Sequence, residues 1–428
     1  MNLRRNIFWL LDFFKGNSLK KTYHFTIAIL EAKDRRWVKT ENAKKLDELL
    51  SHATQTTQYY KDKAFKTLED FPVVDKNMIR NHYDEFFSDK YDKKDCKLVA
   101  TSGSTGSPFR LYQNKEKVRK IQSDNLYFSA KSNFKLGQYL VFIRIWPKSL
   151  STKLKLNFWI KNFKPWNILN LSDAAIAKLI TELNQKNKTI SFLGYPTALE
   201  KICNYIAALG ENPIRFKTQS IITISEALKP TTKAQVEQYF GVTPLSRYSN
   251  NETGIIAQQI EGNTNKFRIN DSSYVIEILN LNEDTVVPFG QPGRIVLTDL
   301  YNKATLLIRY DTGDIGCMDL DENGIPYFTE ISGRKIDQLY NTKGDLISSH
   351  LSLRVLDYGS FKQYQLVQKS KKEYHFNFNT DAPVAEAKLI ADYKTYFGDD
   401  AIIKINYVDE VPLLASGKRR EVVNEFYL

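Results

Sequence analysis

The apolar positions of this chain repeat with two different periods. In the first part of the chain they recur three or four residues apart, as in Leu46, Leu49, Leu50 and Ala53. This spacing places the side chains on one face of a helix. The pattern therefore predicts helices joined by short connections over residues 1–95.

From Tyr139 onward, short apolar runs alternate with amphipathic segments. The runs Tyr139–Ile145, 190–193 and Ser220–Ile224 are typical of buried strands, and helices are predicted to begin at Ser172 and Pro196. Strands separated by helices pair in parallel, because a parallel pair needs a long crossover connection. We therefore expect a parallel α/β sheet in this region.

Strand signals then dominate residues 265–331, where Tyr274–Leu279 and Arg294–Leu300 are separated by turn-forming prolines and glycines. A smaller unit follows, with a predicted helix near 384–397. Its predicted strands lie near 363–368, 373–379 and 402–408.

These patterns predict an α/β fold class with two units. Residues 1–332 form a large N-terminal domain of α/β sheets with a β-rich subdomain, and residues 1–95 are its helical leader. Residues 333–428 form a small α+β C-terminal domain.

The composition restricts the class of protein. The chain has 428 residues, of which 42% are hydrophobic and 26% charged, so it is globular and too long for one compact core. Its cysteines, Cys96, Cys203 and Cys317, are odd in number and far apart. A disulfide framework or a cysteine-based zinc site is not indicated, and a reducing, cytoplasmic location fits best.

The formal charge of +12 is spread along the chain, without a basic run interleaved with aromatic residues, so nucleic acid is not the expected partner. The N-terminal residues 1–21 combine basic side chains with an apolar helical face of Leu3, Ile7, Leu10 and Phe14. This segment is too short to span a bilayer. Two alternatives stay open: packing on its own domain, or peripheral contact with an acidic inner membrane face.

Four segments carry residue types suited to chemistry. Ala100–Pro108 is a loop of glycine, serine and threonine that suits phosphate binding, although it is not a Walker A motif. Glu252 lies in the polar segment Arg247–Gly254, where it is either a solvated side chain or a hard oxygen ligand for Mg²⁺.

The other two segments lie further along the chain. Asp314 ends Arg309–Asp314 on a glycine turn and offers acceptors to ribose hydroxyls, while Arg334 in Gly333–Asp337 offers donors to phosphate. Lys418 follows Ser416 and Gly417 near the C-terminus. Taken alone, these features are more typical of a solvated turn, a surface side chain or a basic tail than of a site.

Together and in this order, the four segments resemble the adenylate-forming superfamily of acyl-CoA synthetases and adenylation domains. The sequence is most similar to the phenylacetate–CoA ligase group, which includes the CapK proteins of capsular polysaccharide synthesis. The motifs that carry the resemblance are Thr101–Pro108, Tyr248–Glu252, Thr312–Asp314, Gly333–Asp337 and Gly417-Lys418. Ser249, Asn251 and Asp311 depart from the usual residues of these motifs.

The resemblance implies that the protein joins a carboxylic acid to ATP, releases pyrophosphate and passes the acyl group to an acceptor. It implies a catalytic role for Lys418, Glu252 and Arg334, with Mg²⁺ on Glu252. It also implies ATP-binding roles for Thr101, Ser102, Gly103, Ser104, Thr105, Gly106, Ser225, Glu226, Ala227, Tyr248, Ser249 and Asp314. The C-terminal unit would be a mobile lid with its hinge near Lys335–Ile336.

The acid and the acceptor are not specified by the sequence. Tyr195, Asn250 and Trp146 are the candidates for the acyl pocket, which could suit an aryl acid, an amino acid or a sugar acid. The acceptor is CoA or, alternatively, an amine or hydroxyl in surface-polysaccharide biosynthesis. A non-catalytic nucleotide-binding relative is a further alternative, and a dimer is one option for the unknown oligomeric state.

Overall fold

The computed structural model describes most of the chain. The described residues are 3–61, 65–101, 109–144, 146, 149–168, 171–186, 188–260, 264–334, 339–344, 346–347, 355, 357–412 and 422–426.

The helices are α1 (Leu3–Phe13), α2 (Ser18–Leu30), α3 (Arg35–Thr56), α4 (Lys76–Asn81), α5 (Lys115–Lys131), α6 (Thr152–Lys161), α7 (Asp173–Asn184), α8 (Pro196–Ala208), α9 (Pro230–Phe240) and α10 (Glu386–Phe397). The strands of the N-terminal part are β1 (Lys97–Thr101), β2 (Phe109–Gln113), β3 (Tyr139–Arg144), β4 (Phe163–Asn167), β5 (Ile190–Gly194), β6 (Thr218–Ile224), β7 (Leu245–Asn250), β8 (Gly254–Gln259), β9 (Phe267–Ile269), β10 (Tyr274–Leu279), β11 (Pro292–Asp299), β12 (Tyr310–Leu320) and β13 (Pro326–Arg334). The remaining strands are β14 (Leu339–Tyr340), β15 (Leu346–Ile347), β16 (Gln363–Gln368), β17 (Glu373–Asn379), β18 (Ile402–Tyr407) and β19 (Val422–Asn424).

One large sheet runs through the N-terminal part in the order β10-β11-β12-β13-β9-β8-β7-β6-β5-β3-β4. Strands β3 to β7 pair in parallel, as the alternating strand and helix pattern predicts. The pairs from β7 to β10 at the other end are antiparallel. The predicted α/β class with a β-rich part is confirmed.

The strand order reverses between β3 and β5. The chain passes from β3 outward to β4, then returns past β3 to β5 and continues to β6 on the other side. Gly194 at the end of β5 allows the close approach of these strands, because a Cβ there would lie 2.8 Å from the Cβ of Ile143. In open α/β sheets, a reversal of this kind leaves a crevice at the carboxyl ends of the strands, where ligands bind.

Helices α7, α8 and α9 cover one face of the parallel strands. Ser172 caps α7 by accepting a hydrogen bond from the amide of Ala175, as predicted from the sequence. The buried stripe of α7 packs with that of α8 against β3 and β5. The buried residues of these two helices are Ile176, Leu179, Ile180, Leu183, Pro196, Ala198, Leu199, Ile202, Cys203 and Ile206.

The helical leader is attached to the antiparallel half of the sheet by backbone hydrogen bonds and by hydrophobic packing. Val74 donates its amide to the carbonyl of Arg309 (3.0 Å) and accepts the amide of Asp311 (2.8 Å). Phe71, Val74 and Ile79 belong to the same buried cluster as residues of β10 to β12. This attachment fixes the start of α4 beside the β7–β8 turn.

The C-terminal unit is a separate sheet with one helix. Its strand order is β18-β17-β16-β19, and α10 buries Leu389, Tyr393 and Phe397 against it. Strand β19 pairs in parallel with β16 and is an element that the sequence pattern did not reveal. None of the described helices is long and apolar enough to cross a bilayer.

Candidate active site

The carboxyl ends of the parallel strands bring together several predicted site residues. Trp146 follows β3, Tyr195 follows β5, Ser225 follows β6, and Asn250 ends β7. Parallel pairing places these ends at one edge of the sheet, on both sides of the strand reversal. This edge therefore carries aromatic, hydroxyl and amide groups at the position where ligands bind in open α/β sheets.

Glu252 lies in the tight turn between β7 and β8. A solvated side chain was one expectation, and the structure contradicts it, because the side chain is only 2% exposed. A buried carboxylate needs a cation or hydrogen-bond donors to remain charged. Glu252 has both.

The cation is the ammonium of Lys76, whose Nζ lies 2.5 Å from Oε1 of Glu252. Tyr310 donates its phenol to the same carboxylate oxygen at 3.3 Å. Burial, together with the charge of Glu252, holds the pKa of Tyr310 well above its usual range, so this phenol remains a donor. Among the described residues both contacts fall on Oε1, so Oε2 is the atom that suits a metal ion.

The backbone of the turn is held by three further side chains. Gln113 donates its amide to the carbonyl of Glu252 at 2.8 Å. Tyr274 donates its phenol to the carbonyl of Thr253. Asn250 accepts the amide (2.8 Å) and the hydroxyl (2.6 Å) of Thr253, so its side-chain oxygen stabilises the turn rather than pointing to an acyl group.

Tyr248 and Asp314, two of the residues predicted to bind ATP, are in direct contact. Tyr248 donates its phenol to Oδ2 of Asp314 at 2.6 Å. Burial, together with the charge of Asp314, holds the pKa of Tyr248 well above its usual range, so the proton stays on the phenol. Ser249, the next residue of β7, is partly buried. Tyr248 lies in β7 and Asp314 in β12, and these strands are not neighbours in the sheet. The antiparallel half of the sheet must therefore curl towards β7 to bring the two side chains together.

The predicted glycine turn at Asp314 is part of a strand. Asp314 lies within β12 and faces Arg334 of β13 in the register of the two strands. Gly313 has a positive φ of 79° and donates its amide to Asp311, a local kink next to Asp314. Asp311 itself is held by Arg294 at 2.9 Å.

The segment after β6 is shaped by an unusual backbone. Ser225 has a φ of 70°, a left-handed conformation that costs energy for a residue with a side chain. A hydrogen bond joins its hydroxyl to Tyr195, whose pKa is raised by burial. Glu226 accepts the amide of Thr197 at 3.2 Å, and Ala227 is exposed. Strain of this kind is common where a loop is shaped for a ligand.

Trp146 lies just after the carboxyl end of β3, beside α6. Its indole donates to the carbonyl of Phe142 at 3.0 Å and its ring packs edge-on against Phe158 of α6. The guanidinium of Arg144 lies 5.0 Å from the ring centre. A cation and aromatic surfaces at this end suit the carboxylate and the apolar body of an organic acid.

The remaining predicted residues are described only in part. Ser102, Gly103, Ser104, Thr105, Gly106 and Lys418 lie outside the described residues, as does the predicted hinge at Lys335–Ile336. Thr101 and Arg334 are described by their backbone, at the ends of β1 and β13.

Lys76 is the residue that sequence reasoning missed. It opens α4 behind the N-cap Asp75, and nothing in the local pattern distinguishes it from any other lysine at the start of a helix. Its position follows from the hydrogen bonds of Val74 to β12, which are contacts between distant parts of the chain.

The donor set fits Mg²⁺ bound together with a nucleotide. No group of three or more acidic, histidine or cysteine side chains that could hold a metal occurs in the part of the chain that the structure describes. Mg²⁺ is usually held by one or two carboxylates and by substrate phosphates, rather than by a full protein cage. Glu252 alone satisfies that requirement.

Comparison with known families and structures adds independent information. Residues 339–425 match the CapK C-terminal domain family. No curated protein matches the sequence.

Solved structures share the fold. The chain is similar to 2-hydroxyisobutyryl-CoA ligase in the postadenylation state in complex with R3-HIB-AMP, at 16% identity over 91% of this chain and 90% of that chain, with a TM-score of 0.68. The same ligase in complex with 2-HIB-AMP and CoA in the thioesterification state has a TM-score of 0.58, at 16% identity over 90% of this chain and 89% of that chain. ATP-bound MatB from Rhodopseudomonas palustris has a TM-score of 0.55, at 15% identity over 78% of this chain and 68% of that chain.

Proposed function

We propose that this chain, which carries a CapK C-terminal domain on the fold of the adenylate-forming CoA ligases, activates a carboxylic acid with ATP and then transfers the acyl group to an acceptor. The observation that supports the proposal most is the buried carboxylate of Glu252 beside the Tyr248–Asp314 pair. The carboxylate of Glu252 would hold a metal ion at the phosphates, and the Tyr248–Asp314 pair would hold the ribose.

The chemistry explains why such a site is needed. A carboxylate is a poor electrophile, because it is an anion without a good leaving group. Its oxygen attacks the α-phosphorus of ATP, the new P–O bond forms, and the bond to pyrophosphate breaks. This step brings an anion towards a polyanion, so positive charge must be in place. Mg²⁺ bound to Glu252 and to the phosphates would supply part of that charge.

The residues of the chain would share the remaining tasks. Asp314 would accept the ribose hydroxyls, and Tyr248 would hold its carboxylate in place. The Ser225–Ala227 segment would line the adenine. The loop after Thr101 would bind the phosphates, with Arg334 at the ribose or phosphate edge and Lys418 bridging the carboxylate and the α-phosphate.

Two classes of acceptor are each supported by a different observation. One structural neighbour is 2-hydroxyisobutyryl-CoA ligase, which has been solved with CoA bound, and this supports a thioester product. The CapK match of residues 339–425 supports the resemblance to proteins of capsular polysaccharide synthesis, where an amine or hydroxyl acceptor would give an amide or an ester. We propose the lid motion of residues 333–428 for either acceptor, since the adenylate must be shielded from water.

The proposal is tested by acid-dependent exchange of pyrophosphate into ATP, over a panel of aryl acids, amino acids and uronic acids. We expect exchange with one class of acid and its loss by at least about a hundred-fold in Glu252→Gln. Glu237→Gln, an exposed position on α9, is the matched control. Adding CoA, then an amino sugar or an amino acid, separates the two acceptors.

Exchange that Glu252→Gln leaves intact would refute the assignment of the metal site. A protein that does not bind ATP would instead support the non-catalytic alternative.

A further inference from the structure

The N-terminal helix α1 leaves several large apolar side chains exposed. Its one buried side chain is the acidic residue Asp12, which accepts the amides of Leu19 (3.1 Å) and Lys20 (2.9 Å) and so caps α2. A helical period of 3.6 residues places Leu3 and Leu10 opposite Asp12. The strip that contains Leu3 and Leu10 therefore faces away from the protein, while Phe8 and Trp9 are partly buried beside Asp12.

The exposure of these side chains is high. The exposed fractions are 72% for Leu3, 53% for Leu10, 45% for Leu11, 59% for Phe13 and 75% for Phe14. Contiguous exposed apolar groups of this size mark an interaction surface, since a soluble surface rarely leaves them uncovered.

Helix α6 extends the same surface. It packs beside α1, and the guanidinium of Arg4 lies 4.8 Å from the centre of the Trp159 ring. Trp159 is 59% exposed and Leu156 is 57% exposed. A tryptophan with its ring outward and a basic group against it is typical of the interfacial region of a membrane.

The segments that contain α1 and α6 both carry a positive net charge. Residues 1–30 contain five basic residues and one acidic residue, which is the buried Asp12. Residues 139–172 contain six basic residues and no acidic residue. Among the basic residues, Arg5, Lys15, Lys20, Lys21, Lys153 and Lys155 are exposed.

We propose that α1 and α6 form a docking surface for an anionic phospholipid membrane. The apolar side chains enter the interface and the surrounding lysines and arginines bind lipid headgroups, a combination of two signals that each act weakly alone. A second copy of this chain is the other candidate occupant. It would place basic side chains against basic side chains, because a two-fold contact pairs a surface with itself.

Helix α6 connects the docking surface to Trp146. Phe158 and Trp159 are consecutive in α6, and Phe158 packs on Trp146 while Trp159 faces outward. The start of α1 lies at the amino ends of the parallel strands, where Leu3 and Arg4 line a cavity with Tyr139. The docking proposal stands independently of the proposed reaction.

The test is flotation of the full chain with vesicles. We compare vesicles of phosphatidylcholine with vesicles of phosphatidylcholine and phosphatidylglycerol, at low and high salt. The expected result is binding to the anionic vesicles alone, weakened by salt and by the triple change Lys15→Glu, Lys20→Glu and Lys21→Glu. The triple change Leu10→Ser, Phe13→Ser and Phe14→Ser should lower binding at least about ten-fold.

The control changes exposed apolar residues elsewhere. Val286→Ser with Phe289→Ser, at positions 65% and 55% exposed, should bind vesicles like the parent chain. A melting temperature equal to that of the parent chain shows that a variant is folded. If the triple serine variant does not fold, the single variants Leu10→Ser and Phe14→Ser are tested in its place. The proposal is overturned if the parent chain does not float, if the serine variants float equally well, or if they instead abolish a dimer seen by light scattering.

Discussion

The ammonium of Lys76 lies 2.5 Å from a carboxylate oxygen of Glu252, and the glutamate side chain is 2% exposed. A lysine brought from the helical leader thus neutralises the carboxylate that we assign to the metal. The lysine side chain is 32% exposed, so its ammonium is accessible from solvent, and it leaves Oε2 of Glu252 for the metal ion that we propose.

The first prediction concerns the energy of this pair. Lys76→Met leaves the buried carboxylate of Glu252 without its cation, and Glu252→Gln removes the partner of a partly exposed lysine. Both changes are expected to destabilise the fold, Lys76→Met more strongly. The double variant should lose less unfolding free energy than the two single variants lose together. The difference, which is the coupling free energy of the double-mutant cycle, should be about 1–2 kcal/mol. Denaturant unfolding of the four proteins measures it.

A solvent-exposed pair gives the reference for this cycle. Lys93 and Asp84 are 2.6 Å apart, but their side chains are 43% and 79% exposed. Exposed pairs couple weakly, so Lys93→Met with Asp84→Asn should give less than about 1 kcal/mol. Equal coupling in the two cycles would show that the Lys76–Glu252 pair is an ordinary surface contact.

The second prediction concerns the nucleoside contact. Asp314→Asn removes a charged acceptor for the ribose, so the KM for ATP should rise by about ten-fold or more. Tyr248→Phe removes only the phenol that holds Asp314, and we expect a smaller rise of about three- to ten-fold. Asp319→Asn, further along the same strand, is the control. An unchanged KM for ATP in Asp314→Asn would show that Asp314 does not bind the nucleotide.

The third prediction concerns Lys418, which the resemblance places at the reacting carboxylate. The change Lys418→Ala should abolish adenylation, because it removes the cation between two anionic reactants. The fold should survive, and circular dichroism checks it. Lys388→Ala, an exposed position on α10, should keep full activity. Pyrophosphate release near the parent rate in Lys418→Ala would contradict this role.

The fourth prediction concerns stability and pH. Tyr60 is fully buried, and its hydroxyl has no hydrogen-bond partner in the described part of the chain. Tyr60→Phe removes this unsatisfied group, so it should stabilise the fold by about 1 kcal/mol at neutral pH. Melting curves of the two proteins measure the difference.

The same substitution should change the response to alkali. Burial holds the pKa of Tyr60 well above its usual value of 10 in the folded state. The unfolded chain loses this proton from about pH 10 upward, so the parent protein loses stability there while the folded tyrosine stays neutral. The advantage of Tyr60→Phe should therefore grow above pH 10. An advantage that stays constant would contradict the pKa direction.

Local patterns predicted the parallel half of the fold well. The helices with Ser172 and Pro196 at their start, and the strands between them, are set by short-range periodicity and caps. The resemblance to the adenylate-forming superfamily and the CapK group is confirmed, and it came from ordered motifs spread over the chain.

Long-range contacts account for what the sequence did not predict. The segment Arg247–Asn250 forms most of β7 and not a polar loop, and Glu252 is buried because Lys76, Gln113 and Tyr310 come from three distant elements. Nothing local indicates that β9 inserts between β8 and β13. Sheet order and burial depend on such pairings, which no short window of sequence contains.

The strand reversal separates two groups of candidate site residues within one sheet. Trp146 and Tyr195 stand at the ends of β3 and β5, whereas Glu252 and Asp314 are carried by the β7–β8 turn and by β12. Residues at the reversal can change in size or polarity without disturbing the buried carboxylate or the Tyr248 contact. For the function that we propose, a change at Trp146 would alter the acid accepted while leaving the nucleotide contacts intact, whereas a change at Tyr195 would also reach Ser225 through the hydrogen bond between them.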